Sequence, residues 1–205
     1  MHYSQYFKLR HSDFLQQGIF NGFTDADSPL HIDPMLLKNC QISEFIGSYE
    51  QFLKYFDDIV VLAEAVKAEN KFDRCYRRIT NLLKFPEIVN TGLGYSHTNT
   101  RGNGINGKLT EQLAHSCVEI VQMGVKDPVF FTLLPFIEEG IGVDRISDMT
   151  IYILLHNFLR YTQRKAQEMN IPTRLAEQER RNMTFHSSRG SLTSLFLNAS
   201  WLTCH

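Results

Sequence analysis

The chain has 205 residues, 43% of them hydrophobic and 21% charged, which is enough to fill a buried core and excludes general disorder. With 21 Lys and Arg against 22 Asp and Glu, the formal net charge of -1 excludes a globally basic nucleic-acid binder. No apolar run approaches the roughly 18–20 residues of a membrane span, since the stretch from Met149 to Leu155 ends at His156 and Asn157.

The opening residues, Met1 to Lys8, lack the apolar centre of a secretory signal, so a cytoplasmic protein with no membrane partner is expected. The first 50 residues carry three basic side chains against six acids, and Arg164 to Arg189 carries six against three. A solvated helix face accounts for the basic stretch, and a polyanion such as nucleic acid is the alternative partner. Cys40, Cys75, Cys117 and Cys204 form no CxxC pair and read as reduced thiols.

Taken in order, residues 20–34 are turn-rich, with an extended piece expected at Leu30–Asp33. From Ser48 to Asn70, Phe52, Tyr55, Phe56, Ile59, Val60, Ala63 and Val66 recur at three- and four-residue spacing, one apolar stripe of a helix. A second helix is predicted from Asp73 to Lys84, stopped by Pro86. Residues 87–107 hold Gly92, Gly94, Gly102, Gly104 and Gly107 among Asn, Ser and Thr, a long polar loop. A third helix starts near Lys108 and closes at Gly124.

Asp127-Pro128 reads as an N-cap with proline in the first turn, opening a helix that buries Phe130, Leu133, Leu134 and Ile137 and kinks at Pro135 before Gly140. The last helix is predicted from Ser147-Asp148 to about Glu168. The expected fold is mainly α: one helical domain over residues 1–170 with a short extended N-terminal segment and a Gly-rich loop. Residues 171–205 are expected to add a short helix and a poorly ordered tail. After Arg181 the tail is rich in Ser and Thr with no amphipathic period, as a frameshift or early stop in a longer gene would leave it. A poorly packed genuine terminus reads equally well.

Three segments carry candidate chemistry. Arg101 to Thr110 nearly spells a phosphate loop, with Gly102, Gly107 and Lys108 at the required spacing. Leu109 stands where a magnesium-holding Ser or Thr belongs, and no buried strand precedes the loop. What survives is a turn in which Gly104, Gly107 and Lys108 would hold a single phosphate group.

In the second segment, Asp25-Ala26-Asp27-Ser28-Pro29-Leu30-His31-Ile32-Asp33-Pro34, extension would put His31 and Asp33 on one face with Asp27 in reach. Asp27, His31 and Asp33 are therefore candidate metal ligands, Mg or Mn being the ions suited to oxygen donors. The plainer reading gives Asp25 and Asp27 to turns and Asp33 to a helix cap.

The third segment runs from Phe136 to Thr150, where Glu138, Glu139, Asp144 and Asp148 crowd one bend with Arg145 as the internal counter-ion. Carboxylates at a helix C-terminus are disfavoured by roughly 0.3–1 kcal/mol each. Glu138, Asp144 and Asp148 are the catalytic candidates, Asp144 and Asp148 also metal candidates, with Lys108 or Arg145 meeting a phosphate. A basic protein partner is the other occupant, and caps at Ser147 and Asp148 with arginine neutralisation are the structural explanation.

The motifs Gly18-Ile19-Phe20-Asn21-Gly22-Phe23-Thr24-Asp25-Ala26-Asp27-Ser28-Pro29-Leu30-His31-Ile32-Asp33-Pro34 and Gly140-Ile141-Gly142-Val143-Asp144-Arg145-Ile146-Ser147-Asp148 resemble uncharacterised bacterial proteins, longer than this chain, associated with mobile or phage-defence gene neighbourhoods. The likeness spans about residues 12–165 and implies no catalytic assignment. It accords with this chain being the N-terminal part of a longer protein. The expected function is a non-catalytic interaction module of a bacterial defence-associated protein with a protein partner. The alternative is a metal-dependent nuclease, or nuclease subunit, using the acids at 138–148.

Overall fold

Helix α3 (Ser48–Glu64) is the hub of the fold, because one stripe of its surface is aromatic and aliphatic throughout. Phe52, Phe56 and Ile59 are fully buried along it, with Val60 and Ala63 beside them. The stripe packs against α4 (Arg74–Leu82), α5 (Gly107–Gln122), the 3-10 turns Pro34–Leu37 and Pro128–Leu133, and α7 (Val143–Ile153). The computed structural model describes residues 1–86, 91–93, 105, 107–171, 174–178, 183–187 and 202–204. Among these, the fold is mainly helical. Shorter helices are α1 (Tyr3–Tyr6), α2 (His11–Gln16) and α6 (Leu134–Ile137), and α8 (Leu155–Glu168) follows α7 directly.

Ring packing ties the hub together. Phe56 stacks on Phe131 at 4.2 Å between centroids, and Phe131 on Phe130 at 4.3 Å. Phe85 sits 6.4 Å from Phe56 and meets Tyr152 of α7 edge-on at 5.5 Å. Each such pair contributes about 0.5–1.5 kcal/mol beyond the area it buries. A second group joins Phe45 to Phe158 and Tyr161, seating α8 on the 3-10 turn Ser43–Phe45.

Strand β1 (Leu30–Ile32) lies on α7 and pairs antiparallel with β4 (Leu202–Cys204), His31 opposite Thr203. Residues β2 (Arg174–Gln178) and β3 (Met183–Ser187) form an antiparallel hairpin with Ala176 opposite Phe185. That hairpin stands where a short helix was expected. The run Arg174-Leu175-Ala176-Glu177-Gln178 does suit a helix locally. The Thr184-Phe185 partner strand supplies a ladder that a lone five-residue helix could not match. The rest of the Ser- and Thr-rich tail, residues 182, 188–201 and 205, lies outside the described residues, as does most of the Gly-rich loop.

Four features differ from the periodicity. The first helix of the hub ends at Glu64, not Asn70, because Asp73 gathers the amides of Lys67 and Ala68 and folds residues 65–73 into a loop. Residues 128–140 are not one kinked helix. Asp127 does cap, its Oδ1 accepting from Val129 N at 2.9 Å, but a 3-10 turn follows and α6 is only four residues long. Helix α7 begins at Val143, four residues before Ser147. The turn into it needs Gly140, whose φ of 84° is one that side-chain-bearing residues rarely adopt. Leu154, fully buried, separates α7 from α8 without any glycine or proline to announce the break.

Candidate functional site

The two motifs singled out in the sequence meet in space. The Ile32 amide of β1 donates to Ser147 Oγ of α7 at 3.0 Å, in a contact buried from solvent and spanning 115 residues. Ser147 therefore does not cap a helix; it holds the N-terminal strand against the helix interior. Thr150, also fully buried, returns its hydroxyl to the Ile146 carbonyl at 2.7 Å.

Several carboxylates of these motifs have local partners. Asp33 caps the turn Pro34–Leu37, its Oδ1 accepting from Met35 N at 2.8 Å. His31 is buried on β1, Asp27 is half-buried, and Asp25 takes the N-terminal ammonium of Met1. Glu138 ends α6 and accepts from Gln112 Nε2 of α5 at 3.2 Å. A four-residue helix has little macrodipole to oppose that charge.

Asp144 is exposed in the first turn of α7, where the macrodipole favours it, and Asp148 is half-buried midway along. Among the described residues, no three His, Cys, Asp or Glu side chains gather in an arrangement that could hold a metal ion. Asp27, His31, Asp33, Asp144 and Asp148 thus form no such group of three. Lys108 is exposed at the start of α5, next to Gly107 at φ 54°, while Gly104 lies outside the described residues.

What the bend presents instead is apolar. Leu134 is buried and anchors α6, while Leu133 is 48% exposed, Phe136 86% and Ile137 53%. Expectation placed Leu133 and Ile137 in a buried stripe; the change from 3-10 to α geometry at Leu134 rotates both outward. Phe136, falling out of step with Phe130 and Leu134, was the one sign of this in the sequence. The ridge ends on Glu138 and on exposed Glu139, so it is an apolar surface with an acidic edge.

A separate cleft of about 470 Å³ opens between Gln17, Ser43, Tyr161, Arg164 and Lys165. Its cations are already engaged. Arg164 holds Glu44 and Glu168, and Lys165 Nζ contacts Gln17 Oε1 and Glu168 Oε2, both at 2.9 Å.

Residues 8–199 match the family model described as a domain of unknown function (DUF8370). The chain belongs to the DUF8370 family. No curated protein and no solved structure matches it. The DUF8370 match takes in β1, the ridge, α7 and the hairpin, and continues into the tail as far as residue 199. No helix among the described residues of this DUF8370 chain is long and apolar enough to cross a membrane.

Proposed function

We propose that this DUF8370 chain is a non-catalytic interaction module that docks a protein partner through the ridge Leu133–Phe136–Ile137. The observation that carries the reading is Phe136, a phenyl ring 86% exposed on a short helix whose neighbour Leu134 is fully seated in the core. Leaving such a ring in water forfeits about 1.5–3 kcal/mol of burial. A partner with an apolar groove recovers that energy, and basic residues at the groove's rim meet Glu138 and Glu139. The acids at 138–148 then serve orientation and partner choice. The resemblance of both sequence motifs to bacterial proteins from phage-defence neighbourhoods supports a place in a cytoplasmic defence assembly, and Cys40, Cys75 and Cys117, all free, accord with that compartment.

A photo-crosslinking amino acid at position 136 tests the reading in a bacterial lysate. One discrete protein adduct is expected, absent when the crosslinker sits at exposed Arg160 and lost when Glu138 and Glu139 are both replaced by Lys. Adducts that are diffuse, or unchanged by that charge reversal, would overturn it.

A further inference from the structure

A second surface, remote in sequence from the ridge, carries charge that the fold does not use. Over residues 71–84 there are five basic side chains, Lys71, Arg74, Arg77, Arg78 and Lys84, against one acid, Asp73. That acid is consumed locally: its Oδ1 accepts from Tyr76 N at 2.9 Å and its Oδ2 from the Lys67 and Ala68 amides, holding its carboxyl below the ordinary value.

Arg74, Arg77 and Arg78 fall at i, i+3 and i+4 of α4, on one exposed face with neighbouring Cβ atoms roughly 5–6 Å apart. None of the three forms an ion pair with a described residue. Two features of this placement oppose stability. Like charges three and four residues apart repel, and cations in the first turns of a helix oppose its macrodipole. The opposite face of the helix buries Ile79 and needs none of these arginines.

Beside the arginines stands Phe72, 82% exposed. It is held outward by a hydrogen-bonded loop, its own amide donating to Asn70 Oδ1 at 2.9 Å, with Lys71 Nζ 5.4 Å from its ring centroid. A displayed aromatic ring next in sequence to a helix face of arginines is the combination that takes an unpaired base and its adjoining phosphates. A duplex offers the phosphates but keeps its bases stacked, and an acidic peptide gives the ring nothing flat to cover.

We infer that the face Lys71–Arg78 binds single-stranded nucleic acid, with Arg74, Arg77 and Arg78 on the phosphates and Phe72 stacked on a base. The binding is electrostatic in its salt dependence and tolerant of sequence, since every base has a flat face. It is independent of the docking ridge.

Fluorescence anisotropy of the full chain with labelled 12-nucleotide oligo-dT and oligo-rU, and with a duplex of equal length, tests this between 50 and 200 mM KCl. Both single strands are expected to bind more tightly than the duplex. R77A/R78A should weaken binding and flatten the slope of log affinity against log salt by about 0.7 for each phosphate contact removed. F72A should cost roughly five-fold or more at unchanged slope, and F136S should leave binding as it was. No binding at 50 mM KCl, a response indifferent to R77A/R78A, a duplex bound as well as single strands, or poly-glutamate competing equally charge for charge would each overturn the inference. All the substituted positions are exposed, so an unchanged melting temperature certifies that each variant is folded.

Discussion

Arg164 of α8 closes on Glu44 with two parallel hydrogen bonds, Nε to Oε1 at 2.6 Å and Nη2 to Oε2 at 2.9 Å. The Glu44 side chain is only 8% exposed, and its partner is 120 residues away in sequence. The same turn is gripped again by Asn157, whose Nδ2 donates to the Glu44 carbonyl at 2.6 Å. Together with Phe45 against Phe158, these contacts clamp the long C-terminal helix to the N-terminal third of the chain.

Removing the arginine leaves a nearly buried carboxylate without its fork. R164A should cost about 1–3 kcal/mol in urea unfolding, less than a fully buried pair because the guanidinium is partly in water. R164K should recover only part of it, since an ammonium cannot bond both oxygens at once.

The same pair sets an acid dependence. The Arg164 hydrogen bonds hold the Glu44 carboxyl at about 2, against an ordinary value of 4.5. A depressed carboxylate stabilises the fold fully above its unfolded value and loses that contribution as pH falls through the folded one. The difference in melting temperature between wild type and E44Q should therefore be widest near neutrality and shrink from about pH 4.5 to about pH 2.

Ser147 should matter out of proportion to its size. In S147A the Ile32 amide keeps its burial and loses its acceptor, at a cost of about 1–3 kcal/mol. Hydrogen exchange at Ile32 should accelerate selectively, because β1 is fastened to α7 through that bond. Exchange there no faster than in wild type would refute the assignment.

His115 of α5 is paired with Glu69, and that carboxylate, with Glu119 and Glu138 behind it, raises the imidazole above its ordinary value. An NMR titration should place its midpoint above that of a free histidine, and E69Q should bring it down. For a raised histidine the stabilisation is present below the unfolded value and disappears as pH rises through the folded one. The ring is 53% exposed, so added salt should reduce the shift.

Cys117 is buried on α5, and burial alone pushes its thiol up to about 12. Native-state alkylation should spare it while labelling the half-buried Cys40 and Cys75, and it should react only on unfolding. Mass spectrometry of tryptic fragments distinguishes these outcomes. Equal labelling of all three would mean that α5 opens readily.

Sequence periodicity by itself determined the helical class and the cores of α3, α4 and α5, because a stripe of Phe, Ile and Val at three- and four-residue spacing has only one way to be buried together. Caps that rest on a single side chain were equally legible, at Asp127-Pro128 and in the alternative reading of Asp33-Pro34. The tertiary structure decided what depends on partners distant in the chain. It turned Ser147 from a presumed cap into a buried acceptor for Ile32, drew residues 174–178 into a ladder, and rotated Leu133 and Ile137 into water. The face of α4 shows the converse: its arginines lay in plain view among a balanced composition, and the burial of Ile79 and the capture of Asp73 by amides leave them without an ion pair among the described residues.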